Sequence, residues 1–333
     1  MAVGDQGCVG SLTLPECKAV PLDPRVKRFL DVLAAGRPPH APAMTVQERR
    51  RSLAELLKLA GPQVEVGRIE DRILTRPGAA PLAVRIYTPL GADAEMLPGL
   101  VYFHGGGFVA GTLATHDSIA RALANAGSCR VVSVEYRLAP ENPFPAALDD
   151  ALAAVTHVGD HALRFGIDGA RLGICGDSAG ATLAAATCQA VARIGSPRLA
   201  LQVLICPILD YSGSTVSRRD LASGYLLDQA TLDHDLLHYA PPGTDPTDPR
   251  ISPLRADDVA GLPPTLIHTA EFDPVRDEGK DYFERLAKGH SRVSYTCHPG
   301  MIHLFYGLGG VIPYARTAFE LIGREIRAAF AQA

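Results

Sequence analysis

Apolar residues along this chain recur with two periods, and the places where the period changes outline its architecture. Over residues 23–35 (D-P-R-V-K-R-F-L-D-V-L-A-A) Val26, Phe29, Leu30 and Leu33 fall on one helical face behind an Asp-Pro start. A second helix is predicted over residues 45–60. It carries Leu53, Leu56 and Leu57 on one face, and Thr45 is followed three residues later by Glu48, the capping-box spacing. Both helices precede any strand and serve either as a buttress or as part of a lid. Residues 65–75 and 82–88 then alternate as strands do, separated by P-G-A-A-P at Pro77 to Pro81, which predicts an antiparallel pair at a sheet edge.

After that the rhythm becomes strand and helix in turn. Strands are predicted at 100–103, 130–136, 172–175 and 200–205, with helices at 116–126, 145–165 and 179–193 between and after them. Each parallel crossover needs a connecting helix, so the pattern predicts an α/β fold with a mostly parallel central sheet and helices on both faces. The rhythm stops over 209–254, a stretch rich in Ser, Asp, Pro and Gly with one helical piece at 228–239. So long an insertion reads as a cap that joins the N-terminal helices over the C-terminal edge of the sheet. The sheet resumes with strands at 265–270 and 292–297 and helices at 277–286 and 315–330. The expected division is therefore 1–62 for the N-terminal segment and cap helices, 63–208 with 255–333 for the α/β domain, and 209–254 for the cap insertion. Residues 1–20 show no periodicity and are expected to run over the surface.

Composition narrows the function classes. With 333 residues, 47% hydrophobic and 20% charged, the chain is long enough for one large α/β domain and an accessory piece. A formal net charge of -4 supplies no basic field, so nucleic acid is not an expected partner. No apolar run approaches a membrane span, no strongly amphipathic helix suits an oil surface, Asp5 sits where a leader would be basic, and the first positive side chain is Lys18. A soluble cytoplasmic protein without stable membrane association is expected. Seven cysteines without a C-x-x-C, with Cys129, Cys175, Cys206 and Cys297 in runs read as buried strands, predict free thiols. There is no H-E-x-x-H and no Cys/His ligand spacing, so neither a metal nor a cofactor is expected.

The stretch R-L-G-I-C-G-D-S-A-G at Arg171 to Gly180 carries the chemistry. Gly176, Asp177, Ser178, Ala179 and Gly180 match G-x-S-x-G between a strand and an alanine-rich helix, the context in which a serine is held on a strained turn with its hydroxyl presented. In a fold that places the serine on such a strand-to-helix turn, the acid and the base come later in the chain, in loops at strand ends. Asp273 follows the strand T-L-I-H-T-A-E-F and precedes Pro274, so its carboxylate would overhang the sheet edge; Asp277 and Glu278 open the next helix and complement its dipole instead. Among the histidines, His268 lies within a strand, His290 at a helix end, and His298 still in the last strand. His303 follows a turn expected at Pro299 and Gly300 and can swing back to Ser178 as the base. An alkoxide needs backbone donors: Gly105, Gly106 and Gly107 in H-G-G-G-F, together with Ala179, can supply them. His104 is expected to hold that glycine loop rather than to transfer protons.

H-G-G-G-F at His104 to Phe108, Y-R-L-A-P-E-N-P-F-P-A-A-L-D-D at Tyr136 to Asp150, G-D-S-A-G, D-P-V-R-D-E-G at Asp273 to Gly279 and G-M-I-H-L-F at Gly300 to Phe305 occur in this order. Together they resemble the hormone-sensitive-lipase-like branch of the α/β-hydrolases over residues 65–330. The one departure noted is Asn142, where the commoner wording has histidine. The resemblance implies a serine carboxylesterase acting on small-molecule esters of short to medium acyl chains, with Ser178, Asp273 and His303 as its triad. It also implies pairing of two copies through the last strand. Amide, lactone or thioester substrates would use the same triad. Plant gibberellin receptors resemble the same branch but have lost the histidine that this chain retains as His303.

Overall fold

The computed structural model describes residues 20–36, 44–76, 78, 80–92, 94–213, 215–289 and 291–333. The expectations for residues 1–19 and for His290 lie outside them. Two helices come first, α1 (Pro24–Ala35) and α2 (Val46–Leu57). Asp23 caps α1 by accepting from the N–H groups of Arg25 and Val26, and the capping box of Thr45 and Glu48 closes at the start of α2. Both helix starts therefore lie where side-chain chemistry demanded them.

Among the described residues the strands are β1 (Arg68–Leu74), β2 (Leu82–Thr88), β3 (Leu97–Phe103), β4 (Arg130–Val134), β5 (Ile167–Asp177), β6 (Leu201–Ile205), β7 (Thr265–Phe272) and β8 (Val293–Ile302). They form one sheet in the order β1-β2-β4-β3-β5-β6-β7-β8. β1 and β2 pair antiparallel at one edge, β2 runs antiparallel to β4, and every later pairing is parallel. The helices between and after them are α3 (Asp117–Gly127), α4 (Ala146–Asp160), α5 (Ala179–Ile194), α6 (Val216–Asp220), α7 (Gln229–Tyr239), α8 (Arg276–Lys288) and α9 (Tyr314–Phe330).

Alternate residues of the central strands face opposite cores. Val101, Phe103, Val132, Val134 and Ile174 join the cluster beneath α4 and α5, while Leu100, Tyr102, Val131 and Cys175 join the one beneath α3 and α9. Both faces are covered, which is why these strands read as nearly continuous apolar runs.

Three local expectations are corrected. The last strand does not end before Pro299; it continues through Pro299 and Gly300 to Ile302, with its register against β7 shifted between Ala270 and Phe272. Gly300 takes φ 71 and its N–H donates to Glu271 Oε2, so the bend lies within the strand rather than after it. Cys297 is half-buried and disulfide-bonded instead of a free thiol. Cys129, Cys175, Cys188 and Cys206 are free and buried.

Glu278 stands in the first turn of α8 beside Asp277, as expected, and does more than complement the helix dipole. Its buried carboxylate accepts from the N–H groups of Leu209 (2.7 Å) and Asp210 (2.9 Å) and from Arg218 Nε (2.7 Å), while Ser217 N donates to Asp277 Oδ2 at 2.8 Å. The segment leaving β6 is thereby clamped to the helix that follows Asp273. Removing one partner from a buried ion pair strands the other. Glu278→Ala is expected to cost about 3–5 kcal/mol of unfolding free energy, read as a lowered urea midpoint.

Candidate active site

β5 passes into α5 through Ser178, whose backbone sits at φ 52, ψ −123, with its N–H donating to Ile205 O at 2.9 Å. That conformation costs a non-glycine residue of order 1–3 kcal/mol and persists only where its surroundings enforce it. Gly180 permits the turn: a Cβ there would lie 2.0 Å from Phe103 O, and one on Gly176 would lie 2.1 Å from Gly180 O.

The two expected partners of Ser178 converge on this turn. His303 Nε2 stands 2.9 Å from Ser178 Oγ, and His303 Nδ1 stands 2.7 Å from Asp273 Oδ2. The other oxygen of Asp273 accepts from Val275 N at 3.0 Å, which fixes the carboxylate. Asp273 is wholly buried, and Ser178 and His303 nearly so. His268 and His298 are buried in their strands and stacked on each other instead, with Nδ1 of the first 3.3 Å from Nε2 of the second. Cys206, Asp273 and His303 bring potential metal-donor atoms within 4.8 Å of one another, but the close His303–Asp273 contact already satisfies two of the three.

The glycine loop divides its N–H groups between two tasks. Gly105 N donates to Asp177 Oδ1 at 3.1 Å, so it is not free for an oxyanion. Among the described residues nothing accepts from the N–H groups of Gly106 or Gly107. Gly107 takes φ 66 beneath Asp235 of α7, where a Cβ would meet Asp235 Oδ2. Asp235 is in turn held by a two-pronged contact from Arg49 of α2, at 3.1 Å from Nε and 2.8 Å from Nη2. His104 behaves as a loop holder: its Nδ1 is 2.8 Å from Gly105 O, its carbonyl accepts from Tyr136 Oη at 2.7 Å, and its ring stacks on Tyr136.

Asp177, inside the elbow itself, is a strut that sequence reading missed. Its buried carboxylate accepts from Tyr102 Oη (2.5 Å), Tyr306 Oη (3.0 Å) and Gly105 N, so it links β3, the glycine loop and the segment after His303. Burial raises its pKa, and the two hydroxyl donors pull it back. Its partners lie 75 and 129 residues away, so no local pattern could have named them.

Above Ser178 lies a cavity of about 130 Å³. Ser178, His303, Gly106, Leu53, Leu226 and Leu227 contribute to its wall, so α2 and the segment before α7 roof the strand ends. A larger cavity of about 520 Å³, near Cys188 and Pro197, contains none of these reactive groups; chemistry rather than size selects the site. Six non-glycine residues among those described have positive φ, and three of them, Ser178, Leu226 and Leu304, line the small cavity.

Comparison with known proteins shows the family. A family model described as alpha/beta hydrolase fold matches residues 100–307. Carboxylesterase NlhH of Mycobacterium tuberculosis is 36% identical over 321 residues, 95% of this chain and 98% of that protein. Ethyl acetate hydrolase of Pseudomonas putida is 37% identical over 312 residues, 90% of this chain and 97% of that protein. Among solved structures, the ester-hydrolase EH1AB1 from the metagenome of Lake Arreo superposes with a TM-score of 0.89 at 40% identity, covering 93% of this chain and 99% of that one. The chain belongs to the α/β-hydrolase family, in its hormone-sensitive-lipase-like branch.

Two buried histidines beside the site make stability depend on pH. Burial lowers His104 and His116 from 6.5 to about 3, with the neighbouring His116 adding to the effect on His104. The folded protein holds both rings neutral, whereas the unfolded chain protonates them near their ordinary value. Their stability contribution is therefore fully present above about 6.5 and is lost as pH falls toward 3, by about 1.4 kcal/mol per pH unit for each ring. Urea unfolding at pH 7, 6 and 5 should show this decline, and His116→Gln should remove about one proton from the slope.

Proposed function

We propose that this carboxylic ester hydrolase is a serine carboxylesterase that cleaves short- to medium-chain acyl esters through an acyl-enzyme. The observation that carries the reading is the unbroken line from Asp273 Oδ2 through the His303 ring to Ser178 Oγ, at 2.7 and 2.9 Å. His303 Nε2 takes the proton as Ser178 Oγ attacks the ester carbonyl, and Asp273 orients the ring and stabilises its charged form. The alkoxide that forms is met by the N–H groups of Gly106, Gly107 and Ala179; removing one such donor costs about 3 kcal/mol of barrier. His303 then hands the proton to the departing alcohol and afterwards draws one from water as it attacks the acyl-enzyme. His104 supports the oxyanion loop from behind.

The roof over this chemistry is a cap made of residues 1–62 and 209–254, set on an α/β domain of 63–208 and 255–333. The contact of Arg49 with Asp235 supports that division, since it joins the two cap pieces directly above Gly107. Pairing of two copies through β8 is supported by the position of that strand at the sheet edge. Among the described residues no helix is long and apolar enough to cross a membrane. The four free buried thiols support a cytoplasmic location, against which the disulfide at Cys297 stands.

A series of p-nitrophenyl esters from acetate to palmitate tests the assignment. Turnover is expected to peak at short to medium chains, and Ser178→Ala is expected to lose at least about 10⁴-fold in kcat. Substantial turnover by Ser178→Ala, or organophosphate labelling of another serine, would overturn the residue roles.

A further inference from the structure

Two cavities meet at a single strained turn. The one that holds Ser178 and His303 measures about 130 Å³, and a second of about 470 Å³ lies beyond it, walled by Leu30, Val32 and Leu33 of α1. Met44, Ser52, Leu56 and Leu226 line both. The shared wall is thus one helix face, α2 with the residue just before its cap, opposed by one side chain of the segment leading into α7.

The turn that presents Leu226 is unusual. Leu227 N donates to Tyr225 O at 3.1 Å across a residue at φ 76, the hydrogen bond and the sign of φ of the rare, strained form of γ-turn. A branched, bulky side chain is disfavoured at positive φ. The conformation is held from both sides: the Tyr225 ring stacks on Phe272 with centroids 5.4 Å apart, Leu227 is buried, and Gln229 N donates to Ala222 O at 2.9 Å. Phe272 is the residue immediately before Asp273, so the turn is tied to the same strand end that carries the acid. A conformation enforced this firmly places its side chain, and here it is placed at the junction of two chambers.

We infer that Leu226 is a partition that sets the length of aliphatic tail the site accepts, and that the outer chamber is a second subsite for the tail of longer esters. The inference rests on the ester-hydrolase reading and extends it. The outer wall is mainly aliphatic, with Leu30, Leu33, Leu56 and Met44 set against the polar Ser52 and Asp228, so it suits a hydrocarbon chain better than a charged or sugar-like group. With leucine at the apex, a short chain is contained in the inner cavity, and a longer one must pass between Leu226 and Leu56. The tail can belong to the acyl or to the alcohol half of the ester, and substrate series distinguish the two.

The test is kcat/KM for wild type, Leu226→Gly and Leu226→Phe of the full chain. One series uses p-nitrophenyl acetate, butyrate, octanoate and dodecanoate; the other uses acetate esters of ethanol, butanol and octanol, followed by proton release. Glycine removes the side chain and accepts positive φ without strain. Leu226→Gly is expected to raise the long-to-short ratio by at least about tenfold in whichever series places its tail in the outer chamber, because several methylenes gain apolar contact. Leu226→Phe is expected to lower that ratio. Leu56→Ala, on the opposite wall and in a residue suited to a helix, should shift the ratio in the same direction as Leu226→Gly, and it keeps the test open if a turn variant does not fold, which thermal unfolding reports. Ratios unchanged within about twofold in both series, for folded Leu226→Gly and Leu56→Ala, would overturn the partition while leaving ester hydrolysis intact. Absence of wild-type turnover on every ester would overturn the enzymatic reading and the partition together.

Discussion

Helix α5 starts against bare backbone: the Cα of Gly180 approaches the carbonyl of Phe103 so closely that a methyl group would lie 2.0 Å from its oxygen. This contact lets the central strand β5 turn into a helix without an intervening loop. Ser178 is left at φ 52 with its hydroxyl pointing off the sheet, and the hydrogen bond from its N–H to Ile205 O fixes it to the neighbouring strand. Positional precision here comes from the most buried part of the sheet, where packing leaves little freedom. The site inherits that rigidity.

Two buried carboxylates extend this order outward. Asp177 ties the elbow to Tyr102, Tyr306 and Gly105, and so sets the glycine loop relative to the serine. Glu278 ties the segment after β6 to the helix after Asp273 through Leu209, Asp210 and Arg218. Burying either group is unfavourable by itself, and each is offset by three donors arriving from distant parts of the chain. Networks satisfied in this way specify one arrangement, since any slip leaves a buried carboxylate without a partner.

Floor and roof are built on different terms. The floor is sheet, helix and fully buried apolar side chains, and it holds the reacting groups. Above it, α2 and α7 are joined by Arg49 and Asp235, and the segment before α7 makes a strained turn at Leu226, which lines two cavities.

Much of this was written into local sequence. The caps at Asp23 and Thr45, the alternation of strand and helix, and the glycines flanking Ser178 depend on neighbours within a few residues, and the structure places them where periodicity and turn chemistry predicted. Ser178, His303 and Asp273 could be nominated because a serine elbow requires partners at later strand ends, and few residues were candidates. Other features depended on contacts between segments far apart in the chain. The extension of β8 through Pro299 required its pairing with β7. The engagement of Gly105 N by Asp177, and the clamp that Glu278 adds to its place in the first turn of α8 by accepting from Arg218, both required partners from distant segments. The chain by itself determined which elements form and which groups could react; tertiary packing alone decided which N–H groups stay free and which side chains line the cavities, because those depend on atoms that meet only after the sheet has closed.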